Sequence, residues 1–186
     1  RALCHQLPDS PQLLLVLGGL FSFYVVRSEL NASRNIGEQL FTLAEREPDT
    51  ALRLVAHWAF GQTLLFQGEL APAREHLEKG MGLYKRKEHH DLGLRAGFPG
   101  DLGTFCRCFA AHTLWHLGYP DQALQHIQQA LTLAEELAHP FSRAVALAYA
   151  AMLYQFRRGI HLAQEAGETA IGLCQGTPLR NEIEAR

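Results

Sequence analysis

GQTLLFQGELAPAREHLEKG, residues 61–80, is the stretch from which the rest of the chain can be read. It carries an apolar run up to Phe66, a Gly68-Glu69-Leu70 junction, and then Ala73, Leu77 and Gly80 at helical spacing. That pattern is two helices joined by a tight turn, with small residues where the pair must approach closely. The same offsets recur around Gly118, with Ala111 before it and Ala123, Ile127 and Ala130 after it. They recur again around Arg158, with Ala151 ahead and Ala163, Gly167 and Ala170 behind. A weaker first copy is centred on Ser28, with Phe21, Ser33, Gly37 and Leu40 in the equivalent places.

The junctions at Ser28, Gly68, Gly118 and Arg158 are separated by steps of 40, 50 and 40 residues. Units of this kind bury a core only by leaning on their neighbours. The expected fold is therefore all-α, built of about four hairpins near 11–46, 50–88, 101–138 and 140–175 in one domain. Gly68, Gly118 and Gly159 beside Arg158 supply the φ > 0 that ends a helix. Asp49 or Thr50 suits the cap of a helix starting near Ala51, and Pro120 and Pro140 suit helix starts. The ten additional residues of the second step fall near Lys85 to Gly103, where Gly93, Gly97, Pro99, Gly100 and Gly103 interrupt any continuous helix. A loop longer than about 12 residues generally serves a purpose or is disordered, and this one is a candidate to fold toward a ligand surface.

Composition narrows the function. With 186 residues, 47% of them hydrophobic, and 17 basic against 19 acidic residues, the chain has a sizeable core and no nucleic-acid footprint. The Lys85-Arg86-Lys87 run is followed at once by Glu88 and Asp91, as in a solvated helix end. The uncharged stretch from Ser10 to Val26 is shorter than the roughly 20 residues of a membrane span and contains Pro11, Gly18 and Gly19, so it is expected to be a buried helix. Cys4, Cys106, Cys108 and Cys174 lack the spacing of a disulfide scaffold or zinc ribbon, which fits a reducing cytoplasm. Arg1 opens the chain without an initiator Met or a signal sequence, as expected of a piece cut from a longer protein.

Gly61, Leu64, Gly68, Ala73, Leu77 and Gly80, then Ala111, Leu114, Gly118, Ala123, Ile127 and Ala130, resemble the tetratricopeptide repeat, over roughly residues 11 to 175. The phrases VRSELNASRNIGEQL, GQTLLFQGELAPAREHLEKG and HLGYPDQALQHIQQALTLAEELAHPFSRAVALAYAAMLYQFRR look like the repeat region C-terminal to the ATPase module of large bacterial signalling proteins, which commonly carry an N-terminal class III adenylate or guanylate cyclase or kinase domain. The resemblance implies a right-handed α-α superhelix serving as a non-catalytic regulatory arm. Units longer than 34 residues depart from the simplest repeat of this kind. No G-x-x-x-x-G-K-[ST] loop or cyclase metal-binding segment is present, so neither activity is assigned to this chain.

The resemblance also places the first helix of each unit on a concave side. The exposed stripe would then hold Val55, Trp58, Ala59, Gln62, Leu65 and Phe66 in the second unit. The third would present Phe105, Cys108, Phe109, His112, Trp115 and His116, and the fourth Val145, Ala148, Tyr149, Met152, Gln155 and Phe156. An aromatic, nearly uncharged groove of this kind suits a protein or peptide partner, or an adjacent domain of the same polypeptide. Self-association through exposed ends of the stack is a further possibility. The alternative is a small-molecule sensor in which residues 93–103 close over Trp115, Tyr149 and Met152.

The cluster Cys106, Cys108, His112 and His116 invites a metal or nucleophile reading, and its spacing argues against both. Cys108 and His116 are separated by a rise of about 12 Å, too far to share one ion. No third group is placed to orient His112 for Cys108. No catalytic residue, metal or cofactor is expected.

Overall fold

The computed structural model describes residues 11–46 and 49–175. Arg1, Cys4, His5 and the segment from Pro178 onward lie outside the described residues. The described chain is all-α: α1 (Pro11–Val26), α2 (Leu30–Arg46), α3 (Thr50–Gln67), α4 (Leu70–Leu83), α5 (Arg86–His89), α6 (Leu92–Arg95), α7 (Leu102–His116), α8 (Pro120–Glu136), α9 (Pro140–Phe156) and α10 (Ile160–Gln175).

The turns between paired helices close alike. Ser28 (φ 58°), Gly68 (φ 80°), Gly118 (φ 86°) and Arg158 (φ 61°) all adopt the left-handed conformation. At each, two amides return to the helix just ended: Gly68 N–H to Leu65 O and Glu69 N–H to Leu64 O, or Arg158 N–H to Gln155 O and Gly159 N–H to Tyr154 O. These bonds satisfy carbonyls that a helix end would otherwise leave open. At the last junction it is Arg158, and not Gly159, that takes the positive φ, which corrects the sequence expectation. Ala138 (φ 49°) makes a fifth turn of this type between α8 and α9. At the start of α3, Asp49 Oδ1 accepts the Ala51 N–H at 2.8 Å.

Helices pair as α1 with α2, α3 with α4, α7 with α8 and α9 with α10, and the second helix of each pair also packs on the first of the next. Small residues set the approach. A Cβ on Gly61 would stand 2.8 Å from the Leu77 side chain, one on Gly37 2.7 Å from Phe60, and one on Gly80 3.1 Å from Cys106 Sγ. Ala111, Ala123 and Ala130 are buried in the same role. In α10 the equivalent Ala163 and Gly167 are only half-buried, because no later helix among the described residues covers its outer side.

Among the first helices, α7 contacts both α3 and α9. Ring pairs climb in step along α7 and α9: Phe105 with Phe141, Phe109 with Tyr149, Trp115 with Phe156. The two helices therefore run parallel, and their aromatic stripes lie side by side.

The longer second step is an insert between α4 and α7 that holds α5 and α6. Its C-terminal root is the buried Asp101, whose Oδ1 accepts the Thr104 N–H and hydroxyl while Oδ2 accepts the Tyr84 hydroxyl at 2.7 Å. The Asp101 N–H donates to Ser142 Oγ on α9. At the other end, Arg86 donates to the Glu136 carboxylate and main-chain oxygen, tying α5 to the end of α8.

Candidate functional site

The insert does not hang free; it lies across the first helices. Gly97 adopts φ 73° and sits against Leu15 and Gly19 of α1, and the Ala96 carbonyl fits over Gly18, where even a Cβ would stand 1.7 Å away. Phe98 then reaches the Trp58 ring of α3 at 4.8 Å, the Phe105 ring of α7 at 4.7 Å and the Phe141 ring of α9 at 6.2 Å. These are favourable aromatic separations, and their edge-on or tilted rings suit the ring quadrupoles. One side chain of the insert thus bridges three first helices.

Much of the expected open stripe is closed, in part by this docking and in part by helix packing. Val55, Trp58, Ala59, Phe105, Cys108 and Phe109 are buried rather than exposed, and so is His112. Trp58 is also enclosed by Phe21 of α1 at 5.1 Å. Gln62 keeps 9% of its surface, and Leu65, Val145 and Tyr149 are half-buried. Phe98 of the insert covers Trp58 and Phe105, whereas Cys108 packs among small residues of α7, α8 and α9, and Phe109 and His112 meet Tyr149 of α9. The aromatic contacts of Phe98 are with Trp58, Phe105 and Phe141; among the described residues no ring contact joins the insert to Trp115 or Tyr149, around which the sensor reading placed its pocket.

What stays open is the other end of the stripe. Phe66 is 44% exposed, Phe156 43% and Met152 40%, with His116 and Gln155 also exposed and Trp115 half-buried. Trp115 stacks on Phe156 at 5.8 Å, His116 and His112 flank the same ring at 6.0 Å, and Phe66 meets Phe109 at 6.1 Å. The C-terminal ends of α7 and α9 therefore share an aromatic surface, with Met152 one turn before Phe156 and Phe66 exposed at the end of α3.

The electrostatics of this face are quiet. Burial holds the His112 imidazole below its usual range, against the opposing effect of its bond to the Tyr149 carbonyl. With Nε2 3.0 Å from that carbonyl, His112 donates through its Nε2–H, since a carbonyl can only accept. Burial pushes the Cys106 thiol up to about 12, and it pushes Cys108 and the Tyr149 phenol upward as well. Both cysteines are protonated thiols at neutral pH, poor nucleophiles and poor metal ligands in that form. Among the described residues no group of three or more His, Cys, Asp or Glu side chains is arranged to hold a metal ion.

Phe98 and Phe141 belong to this surface and were absent from the sequence reading. The available signal was Gly97-Phe98-Pro99-Gly100, a lone aromatic set among turn residues where solvent exposure would be costly. A further pair, His57 and His76, joins α3 to α4 with Nδ1 atoms 3.1 Å apart inside a collar of Phe41 and Phe60. Burial, with His76 second, pushes His57 down to about 4.

No protein-family model matches this chain, and no curated protein matches it at significant similarity. Among the described residues no helix is long and apolar enough to cross a membrane.

Proposed function

We propose that this chain is a non-catalytic interaction module, a tetratricopeptide-like right-handed superhelix that takes an apolar segment of a partner protein, or of an adjacent domain, on its aromatic face. The observation that carries the reading is the exposure of Phe66 near the end of α3 and of Met152 and Phe156 near the end of α9, with Phe156 stacked on the half-buried Trp115 of α7. Such patches on a folded surface mark interaction sites, and Met beside aromatic rings adapts to varied apolar ligands. The patch has no Lys, Arg, Asp or Glu among its named residues, which favours an uncharged segment over a peptide carboxylate. A cytoplasmic setting and control of an attached signalling enzyme are supported by the sequence resemblance, with occupancy of the groove biasing the arrangement of the stack.

The test is selection from a random 12-residue peptide library on the folded chain. Selected peptides are expected to be aromatic or aliphatic and to lose at least about tenfold in affinity, ~1.4 kcal/mol, when Met152→Ser and Phe156→Ser are combined. Trp58 is unsuitable for this purpose, since its burial would confuse loss of fold with loss of binding. Peptides that bind the double variant as well as the parent would remove the patch as the site.

A further inference from the structure

The covered end of the groove has a property that a simple structural strut does not explain. Trp58 Nε1 and Gln62 Oε1 are both buried and neither has a hydrogen-bond partner. Trp58 is 1% and Gln62 9% exposed. They sit one helical turn apart on α3, about 6 Å along its axis, on the stripe that continues to Phe66. One is a donor and the other an acceptor, and buried groups of this kind are costly to leave unpaired.

The insert fills the apolar part of this seat and leaves the polar part unmet. Phe98 supplies a ring to Trp58, Phe105 and Phe141. Its own backbone is turned inward: Phe98 N–H donates to Gly93 O, Ala96 N–H to Leu92 O, and Gly97 N–H to Leu94 O. None of these amides is given to the groove. Leu94, Arg95 and Pro99 of the segment are exposed, whereas Leu92, Gly93, Ala96 and Gly100 are buried, so the segment is anchored around Phe98 while Phe98 itself is half-buried. An aromatic ring is thus seated on Trp58, whose indole N–H has no partner, and the Gln62 acceptor one turn further along α3 has none either.

We infer that the face beneath the insert is a peptide site occupied in cis by residues 92–100, and that its external ligand is an extended segment presenting an aromatic side chain with a peptide amide beside it. An extended backbone offers along one edge a carbonyl to accept from Trp58 Nε1 and an N–H to donate to Gln62 Oε1. The ligand displaces Phe98, takes its ring seat and completes the two bonds that the insert leaves unmade. The inference rests on the groove reading above and extends it from the open end to the covered one.

The experiment uses the full chain with Phe98→Ala and, as probe, the capped nonapeptide LGLRAGFPG, the sequence of residues 92–100. The chain has two tryptophans, so Trp115→Phe assigns the Trp58 indole N–H in a nitrogen-proton spectrum. The peptide is expected to bind Phe98→Ala at least about tenfold more tightly than the parent and to shift the Trp58 indole resonance, while LGLRAGAPG does neither. Phe98→Leu, which keeps apolar volume, repeats the titration should the alanine variant not fold. In the parent chain, hydrogen exchange at the Ala96 and Phe98 amides is expected to precede that of α3 and α7.

Absence of binding to either variant at about 1 mM, or equal binding of both peptides, overturns the inference. Exchange of the insert in step with global unfolding also overturns it, since the insert would then be core. Repeating the titration with Met152→Ser and Phe156→Ser present separates the two readings. Nonapeptide binding that survives there, with library peptides lost, retains both sites. Failure of the nonapeptide with library peptides still captured removes only the covered one.

Discussion

Gly18 and Gly19 are neighbours on α1, and alanine at the two positions is expected to act with opposite sign. A Cβ on Gly18 would lie 1.7 Å from the Ala96 carbonyl oxygen, whereas one on Gly19 meets nothing within 4 Å. Ordinary contact begins at 3.4 Å, so Gly18→Ala must force α1 and the insert apart by about 1.7 Å, the difference between those two distances. Both colliding atoms are tied to backbone, so no side-chain rotation relieves them. Overpacking of this sort costs up to about 3 kcal/mol, offset by about 1 kcal/mol from the better helix propensity of alanine.

The net for Gly18→Ala is thus a loss of about 2 kcal/mol, limited by the free energy that docks the insert, because undocking relieves the clash. Gly19→Ala keeps only the propensity gain of about 1 kcal/mol. For a chain of this length 1 kcal/mol corresponds to about 2–4 °C in Tm. Thermal unfolding followed by circular dichroism should place Gly18→Ala about 4–8 °C below the parent and Gly19→Ala about 2–4 °C above it. Equal stabilisation by both alanines would refute the seating of Ala96 on α1, and with it the docking of the insert against the first helices.

Tyr84→Phe removes the hydroxyl that donates to the buried Asp101 carboxylate and should cost about 1.5–3 kcal/mol in urea unfolding; an unchanged midpoint would mean that this bond does not hold the insert root. Arg158→Gly relieves a left-handed non-glycine residue and should gain about 0.5–1 kcal/mol, whereas Gly118→Ala, at φ 86°, should lose about 1 kcal/mol in the same assay. Matching signs for those two would contradict the turn geometry. His57 titrates near 4 in the folded chain and near 6.5 when unfolded, so the unfolded state takes up the proton first. Its contribution to stability is whole above pH 6.5 and is lost as pH falls toward about 4, with the depressed His76 acting in the same direction. His57→Gln should flatten the Tm profile across that window, and an identical profile would exclude the pair as its cause.

The all-α architecture was legible because one physical requirement recurs: a turn residue must accept a left-handed conformation, and small residues must follow it where helices touch. At Gly68 and Gly118 residue type alone indicates this. At Ser28 and Arg158 only the shared offset does, since serine and arginine seldom adopt positive φ, and composition pointed wrongly to Gly159. The open end of the aromatic face was legible for the same reason: Phe66, Trp115, Met152 and Phe156 follow helical spacing. The covered end was not. Helical periodicity reports which side chains share a face and carries no information on what else the chain places against that face.

The missing information lay in contacts distant in sequence. That Ala96 has a seat depends on Gly18, and that Phe98 has one depends on Trp58, Phe105 and Phe141, contributed by three helices. The 50-residue step announces an insert, and its glycines announce turns, but neither states a destination. Trp58 has the sequence pattern of a groove residue and the burial of a core residue, and both descriptions follow from one arrangement. Along the same stripe Phe98 lies on Trp58 and Phe105, α9 closes over Phe109 and His112 through Tyr149, and only Phe66, His116, Met152, Gln155 and Phe156 keep an exposed surface at the far end. In this chain the covered part of the aromatic face is therefore set jointly by Phe98, an aromatic side chain on a short, glycine-rich segment, and by the packing of α9 on α7.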